Sequence, residues 1–336
     1  MTAVTVPGRS PGRTPGGSPG RAPGGVLAEA ARTGLAAWAI VALLVAVLTA
    51  ADPGGFWAAA NIANVLTATV VLGLVALGQH LVVLTGGIDL SVGSTATLSA
   101  LLTAMLIDGY PIRTIPAILA MLALGAAIGA AHGLIVARTP IPAFVVTLST
   151  FYLIQGIAFL ISTTPSGQVT RALAAVGMRR AGPFPLALAV LAVAVAAVAV
   201  LLYRTRFGRH AHAVGGDRAA ARSAGVPVGR TLVLAFMAAG ILAAAAGVML
   251  AARATIGSPN AGQGLELSAI TVVVVGGASL LGGRASLTGT LGGVALLALV
   301  ESSFTLLQFP ATASDLMRGV VILAAAALFV PRTSEE

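Results

Sequence analysis

Asp89 lies between two apolar runs, directly after Gly86-Gly87 and two residues before Ser91. A carboxylate at membrane depth is costly enough to be a functional candidate, as a substrate contact or an ion site. An Asp that precedes a helix is also an N-cap, accepting from orphan N–H groups and complementing the helix dipole. Both roles coexist if a broken helix end lines a pathway. Glu266 and Glu301 are the other acidic candidates, and both fall at the ends of apolar runs, where interface placement is the plainer reading. A second cluster is basic: segment 204–230 holds six Arg against one Asp217. Within it, Gly215-Gly216-Asp217-Arg218-Ala219-Ala220-Ala221-Arg222 runs on to Gly225. From Asp217 to Ala224 this predicts a short helix with an Asp cap and a Gly stop, too short and too polar to cross a bilayer. Such a helix suits docking a partner at the membrane surface, and a solvated positive-inside loop would carry the same residues.

Missing residue types exclude other chemistry. All 19 basic residues are Arg. Without Lys there is no Walker A phosphate loop, Schiff-base lysine or pyridoxal-phosphate site, so ATP is not hydrolysed here by the usual route. Without Cys there is no disulfide framework, thiol catalysis or zinc ribbon. Four His (His80, His132, His210 and His212) are too scattered for a metal site. No catalytic residue, metal or resident cofactor is expected on this chain.

Composition predicts the elements that position these residues. Of 336 residues, 57% are hydrophobic and 9% charged, where a soluble domain carries roughly a quarter charged. Fifteen of the 29 charges fall in 1–33, 204–230 and 332–336, and the other 14 are spread over 271 residues that must face lipid or one another. The expected fold is all-α, a polytopic integral membrane protein with about ten transmembrane helices, broken or re-entrant Gly-rich segments and two weakly repeated halves. Judged against the roughly 20 residues that a span needs, the apolar runs predict spans at about 34–51, 62–84, 91–109, 114–137, 142–162, 184–203, 231–252, 266–281, 286–305 and 316–331. For the short runs 267–283 and 285–300, crossing and re-entry both fit.

Residues 1–33 read as a disordered basic tail of Pro, Gly, Ser and Arg. Arginines beside a membrane span hold that end in the cytoplasm, the reading preferred here to nucleic-acid binding. The run from Gly34 to Ala51 would also suit a signal-peptide core cleaved near Ala50, but a chain hydrophobic throughout points to an uncleaved first span. With the N-terminus inside, 13 Arg fall in cytoplasmic segments and 6 outside. Both termini, including tail 332–336, are therefore expected in the cytoplasm.

Many of the 41 glycines sit in apolar runs, where they let helices approach closely. Two clusters stand apart. Residues 82–94 and 272–284 are identical at six of thirteen positions at an offset of 190, with Gly86-Gly87 matched to Gly276-Gly277. Paired Gly-interrupted segments in corresponding halves point to a substrate path. The path candidates are Gly86, Gly87, Asp89, Ser91, Gly276 and Gly277.

The string Leu84-Thr85-Gly86-Gly87-Ile88-Asp89-Leu90-Ser91-Val92-Gly93 closely resembles the signature of permease subunits of ribose-type monosaccharide ABC importers. The similarity continues through Ile141-Pro142-Ala143-Phe144-Val145-Val146-Thr147-Leu148, the Thr205-to-Val226 loop, and Leu265-Glu266-Leu267-Ser268-Ala269-Ile270 into Gly276-Gly277 and Gly282-Gly283, about residues 60–305 in all. Branched-chain amino-acid permeases share the architecture, but the Gly-Ile-Asp-Leu-Ser string looks like the sugar branch. The resemblance implies a multi-pass permease of the bacterial cytoplasmic (inner) membrane. Its implied partners are a second permease copy or paralogue, a cytoplasmic ATPase carrying ATP and Mg, and an extracytoplasmic sugar-binding protein. It also implies ATPase coupling through Gly215, Gly216, Asp217, Arg218, Ala219, Ala220, Arg222 and Gly225. Two positions depart from the family pattern: Arg218 stands where Glu is usual, and Gln155 where Arg is common. Four other readings stay open: an ion- or proton-coupled secondary transporter using Asp89, an ABC permease for a nucleoside, one for a branched-chain amino acid, and a non-transporting membrane scaffold.

Overall fold

The computed structural model describes residues 23–306, with side chains from Gly34 onward except Thr305, together with Leu316 and Gly319. Residues 1–22 of the expected tail, the rest of the expected span 316–331 and the tail 332–336 lie outside the described residues. Long apolar runs become helices because every backbone N–H and C=O must be satisfied internally in lipid. α1 (Pro23–Ala51) starts well before the expected span 34–51, so the expected disordered tail is helical from Pro23 on. Pro at the first helical position and, beyond Gly24-Gly25, the helix formers Leu27-Ala28-Glu29-Ala30-Ala31-Arg32 account for the difference. α2 (Pro53–Phe56) is one turn, capped by Asp52 Oδ1 accepting from Gly55 N at 2.9 Å. α3 (Ala59–Leu84), α4 (Val92–Ile107), α5 (Thr114–Arg138) and α6 (Ala143–Ile161) coincide with four expected spans. α7 (Arg171–Met178) and a two-residue antiparallel pair, β1 (Arg180–Ala181) with β2 (Phe184–Pro185), lead to α8 (Ala187–Tyr203). The basic segment holds α9 (Arg206–Gly216) and α10 (Arg218–Ser223); α11 (Val228–Ala254), α12 (Leu265–Val275) and α13 (Leu287–Leu306) follow.

Among the described residues, six helices (α1, α3, α5, α6, α11 and α13) are long and apolar enough to cross a membrane, or seven if α8 and α9, bent by 71°, form one span. α4 and α12 are shorter, so helix length alone does not reproduce about ten crossings. α12 ends at Val275, short of the expected 266–281, because Gly276-Gly277 stops it. The chain before it runs back along α4. Gly257 packs on Leu101, and Gly262 on Gly93 and Thr97, a descent of about 12 Å along a helix rising 1.5 Å per residue. Thr97 Oγ1 holds that strand by accepting from Gly262 N at 2.9 Å. α12 thus begins beside the first turn of α4, in the manner of a discontinuous span.

α11 is the hub, packing on α3, α4 and α5. Its contact with α5 is a seam of small residues. Gly125, Gly129 and Gly133 repeat every fourth residue on α5, and a Cβ at each would strike α11 backbone at Gly240, Phe236 and Val233. Lipid tails supply no hydrophobic drive between helices, so such close backbone packing has to hold them together. Polar ties add to it: Ser99 Oγ donates to Ala244 O at 2.8 Å, and His80 Nδ1 pairs with Thr290 Oγ1 at 2.8 Å.

Candidate functional site

The two Gly-rich clusters end their helices in the same way. At the end of α3, Gly87 N donates to Val82 O (3.1 Å) and Gly86 N to Val83 O (2.9 Å), with Gly86 at φ +75. At the end of α12, Ala278 N donates to Val273 O (3.1 Å) and Gly277 N to Val274 O (2.8 Å), with Gly277 at φ +85. Each is a Schellman stop, with glycine in the left-handed position where a Cβ would clash. Structurally, Gly86 therefore matches Gly277, an offset of 191 and not the 190 of the sequence identities. Gly87 and Gly276 serve close packing. A Cβ on Gly87 would sit 3.2 Å from the Phe236 ring, and one on Gly276 would meet the Gly289 backbone at 2.6 Å.

Beyond Gly87 the backbone is non-helical until Val92, and α6 clamps it. Thr147 Oγ1 accepts from Leu90 N and donates to Ile88 O, both at 3.1 Å. Asp89, 1% exposed, accepts at Oδ1 from Ser91 N (2.9 Å) and Ser91 Oγ (2.7 Å). The N-cap of α4 is Ser91, so Asp89 acts two residues earlier, bracing the turn that feeds the helix. Phe236, against Gly87, meets the buried His132 edge-on, with ring centroids 6.3 Å apart, and neither His132 ring nitrogen has a hydrogen-bond partner. Thr147 belongs to the Ile141-to-Leu148 string of the family resemblance, yet its clamping role depends on contacts across the fold.

In the basic segment, the helix read from Asp217 to Ala224 is present as α10. Asp217 Oδ1 accepts from Ala219 N (2.7 Å) and Ala220 N (3.0 Å), and Gly225, at φ +77, closes it with Gly225 N to Arg222 O (3.0 Å) and Val226 N to Ala221 O (3.0 Å). Arg218, Ala219, Ala220 and Arg222 face outward, and only Ala221 is buried. The preceding helix, α9, was not expected. Its signals are Thr205 as N-cap, accepting from Phe207 N at 3.1 Å, and the helical spacing of the buried Phe207, Ala211 and Val214.

α9 brings the segments together. Gly283 N donates to Leu84 O at 3.0 Å, and a Cβ on Gly215 would strike both of those atoms. A Cβ on Gly282 would lie 2.7 Å from Gly86 Cα and 2.8 Å from Gly215 O; one on Gly283 would lie 3.0 Å from Gly216 Cα. Three chain segments, 84–86, 215–216 and 281–283, thus meet backbone to backbone. Gly86 belongs to this junction. Asp89 and Ser91 lie apart from it, on the α6 side, and Gly276 packs against α13.

At the start of α12, Glu266 Oε1 accepts from Gly264 N at 3.1 Å. Its Oε2 rests against Gly93 of α4 without a hydrogen-bond partner. Gln155, the departure in α6, donates from Nε2 to Pro259 O at 2.8 Å, so it anchors the strand leading into α12. Among the described residues, no three His, Asp or Glu side chains are grouped to hold a metal. The outward-facing α10 continues through α9 into glycine-lined contacts with the end of α3 and the Gly-rich segment after α12.

The sequence is similar to known permeases over most of its length. The family model for the branched-chain amino acid transport system / permease component matches residues 61–326. A ribose import permease protein of Escherichia coli (strain K12) is 36% identical over 288 residues, covering 84% of this chain and 89% of the relative. An autoinducer 2 import system permease protein of Klebsiella pneumoniae is 40% identical over 293 residues, covering 85% and 83%. A ribose import permease protein of Bacillus subtilis (strain 168) is 35% identical over 292 residues, covering 85% and 89%. No solved structure matches the chain. With a matched family model and relatives similar over most of their length, the chain belongs to the permease components of ABC transport systems, in the ribose-type branch.

Proposed function

We propose that this permease forms the translocation path for a monosaccharide, ribose, xylose or a similar sugar, delivered by an extracytoplasmic binding protein and driven by a separate ATPase. The observation that carries the reading is the backbone junction of Leu84–Gly86, Gly215–Gly216 and Leu281–Gly283. It gives a force applied to α10 a rigid route into both broken helices. In this reading the outward face of α10, with Asp217, Arg218, Ala219, Ala220, Arg222 and Gly225, docks on the ATPase. Gly86, Gly87, Asp89, Ser91, Gly276 and Gly277 form and move the path. A second copy or paralogue completes it, and both termini and the 204–230 loop face the cytoplasm. ATP and Mg belong to the partner subunit, since a chain without Lys has no Walker A loop. The path itself binds weakly, because a conduit that held sugar tightly could not release it.

Support for a sugar comes from the ribose import relatives, and the autoinducer 2 relative adds a second substrate to try. Against an ion-coupled transporter stands the engagement of Asp89 Oδ1 by Ser91. The test is uptake into proteoliposomes holding the permease and its cognate ATPase, with binding protein loaded from a panel of pentoses, hexoses, nucleosides, branched-chain amino acids and autoinducer 2. ATP-dependent sugar uptake is expected. Uptake driven by a proton or sodium gradient without the ATPase would overturn the reading.

A further inference from the structure

The seam between α5 and α11 opens at one end into a cleft of about 430 Å³. Four residues on from Gly133, Ala137 faces Gly229, and a Cβ on Gly229 would make only an ordinary 3.7 Å contact with it. These two small residues belong to the cleft lining, with Leu134 and Val233 along the walls and Arg138 and Arg230 beside them. Arg138 is the last residue of α5 and Arg230 lies in the first turn of α11, so both guanidiniums sit at the membrane-surface end of the helix pair. Both are exposed, and neither has an ion pair or hydrogen bond among the described residues. Arg230 also sits at the positive end of the α11 dipole, which disfavours a cation unless an anion joins it.

We infer that this cleft is a binding site for an anionic phospholipid, its phosphate held by Arg138 and Arg230 and an acyl chain lying along the α5–α11 groove. Two guanidiniums offer planar donor forks that match phosphate oxygens, and basic pockets between transmembrane helices at the membrane surface suit anionic headgroups. The groove below them is apolar and open to the bilayer: Leu134 is 41% and Leu234 43% exposed. A free phosphate would use the arginines and leave that wall bare, so the lipid is the occupant that satisfies both halves. The inference rests on the membrane-spanning character of the chain and not on its sugar.

The test uses the full-length permease in neutral detergent, mixed with equal amounts of phosphatidylglycerol and phosphatidylcholine, with retained lipid read by native mass spectrometry. Wild type should retain phosphatidylglycerol preferentially. At about fivefold per surface arginine, Arg138→Gln with Arg230→Gln should cut that retention by about 25-fold. Arg113→Gln, at the other end of α5, should leave it unchanged, and Leu134→Gln should lower it through the apolar wall alone. Equal retention of both lipids, or full retention by the double variant, would overturn the site. So would displacement by inorganic phosphate with no preference for the diacyl lipid. Unchanged lipid retention with lost ATPase co-purification would show that the arginines contact protein instead. The lipid-retention readout by itself needs no ATPase, binding protein or sugar, so its failure leaves the transport reading untouched.

Discussion

The carbonyl oxygen of Leu84, at the end of α3, accepts a 3.0 Å hydrogen bond from Gly283 N, and the same two atoms leave no room for a side chain on Gly215. The basic segment 204–230 is therefore in direct backbone contact with the ends of both Gly-rich segments. A displacement of α9 cannot be absorbed by flexible side chains at that point, because none is present.

Gly215 and its neighbour Gly216 make a matched pair. Gly215→Ala should separate Leu84 from Gly283 and destabilise the protein by about 1–3 kcal/mol, the ordinary cost of overpacking. Gly216→Ala meets nothing within 4 Å and should be neutral, or stabilising by up to about 1 kcal/mol through lower backbone entropy. Thermal unfolding of the two variants in detergent, with ATP-driven uptake, checks the contrast; equal loss in both would discount the junction.

Thr147 holds the non-helical stretch between Gly87 and Val92. Thr147→Val keeps the shape but strands Ile88 O and Leu90 N, a loss of about 1 kcal/mol for half-buried unsatisfied groups. Thr147→Ser keeps the hydroxyl and should retain most of the function. Amide hydrogen exchange at residues 88–90 should rise in the valine variant only.

Gly225 tests α10 itself. Its φ of +77 is left-handed and its surroundings are empty, so the cost of substitution is conformational. Gly225→Asn should be tolerated, and Gly225→Ala should cost about 1–2 kcal/mol locally. Gly225→Pro cannot adopt that φ, and it also removes the N–H bonded to Arg222 O. ATP-driven uptake should fall away in the proline variant while membrane insertion persists; full uptake would sink the coupling role of this helix.

Gly93 and Glu266 should couple energetically. A Cβ on Gly93 would collide with the Glu266 carboxylate and lie 2.9 Å from Gly262 O, so Gly93→Ala should be destabilising and Glu266→Ala should relieve part of it. A double-mutant cycle on unfolding should return an interaction of about 0.5–3 kcal/mol, the range for residues in contact. An additive result would mean that the carboxylate lies elsewhere.

Local signals made the ends of elements legible in the sequence alone. Asp217 and Gly225 marked α10 correctly, and Gly86-Gly87 and Gly276-Gly277 were recognised as interruptions, because caps and stops act within a few residues of themselves. The scarcity of charge predicted a membrane protein, and the absence of Lys predicted that ATP is handled elsewhere. Tertiary structure decided what those signals serve. Gly86 pairs structurally with Gly277, the clamp on Asp89's loop comes from Thr147 on another helix, and the strand before α12 folds back along α4. Even the separate roles of Gly215 and Gly216 depend on a carbonyl at Leu84 and an amide at Gly283. Composition carries no record of which distant backbones come within van der Waals range, and here those approaches set the function of each glycine.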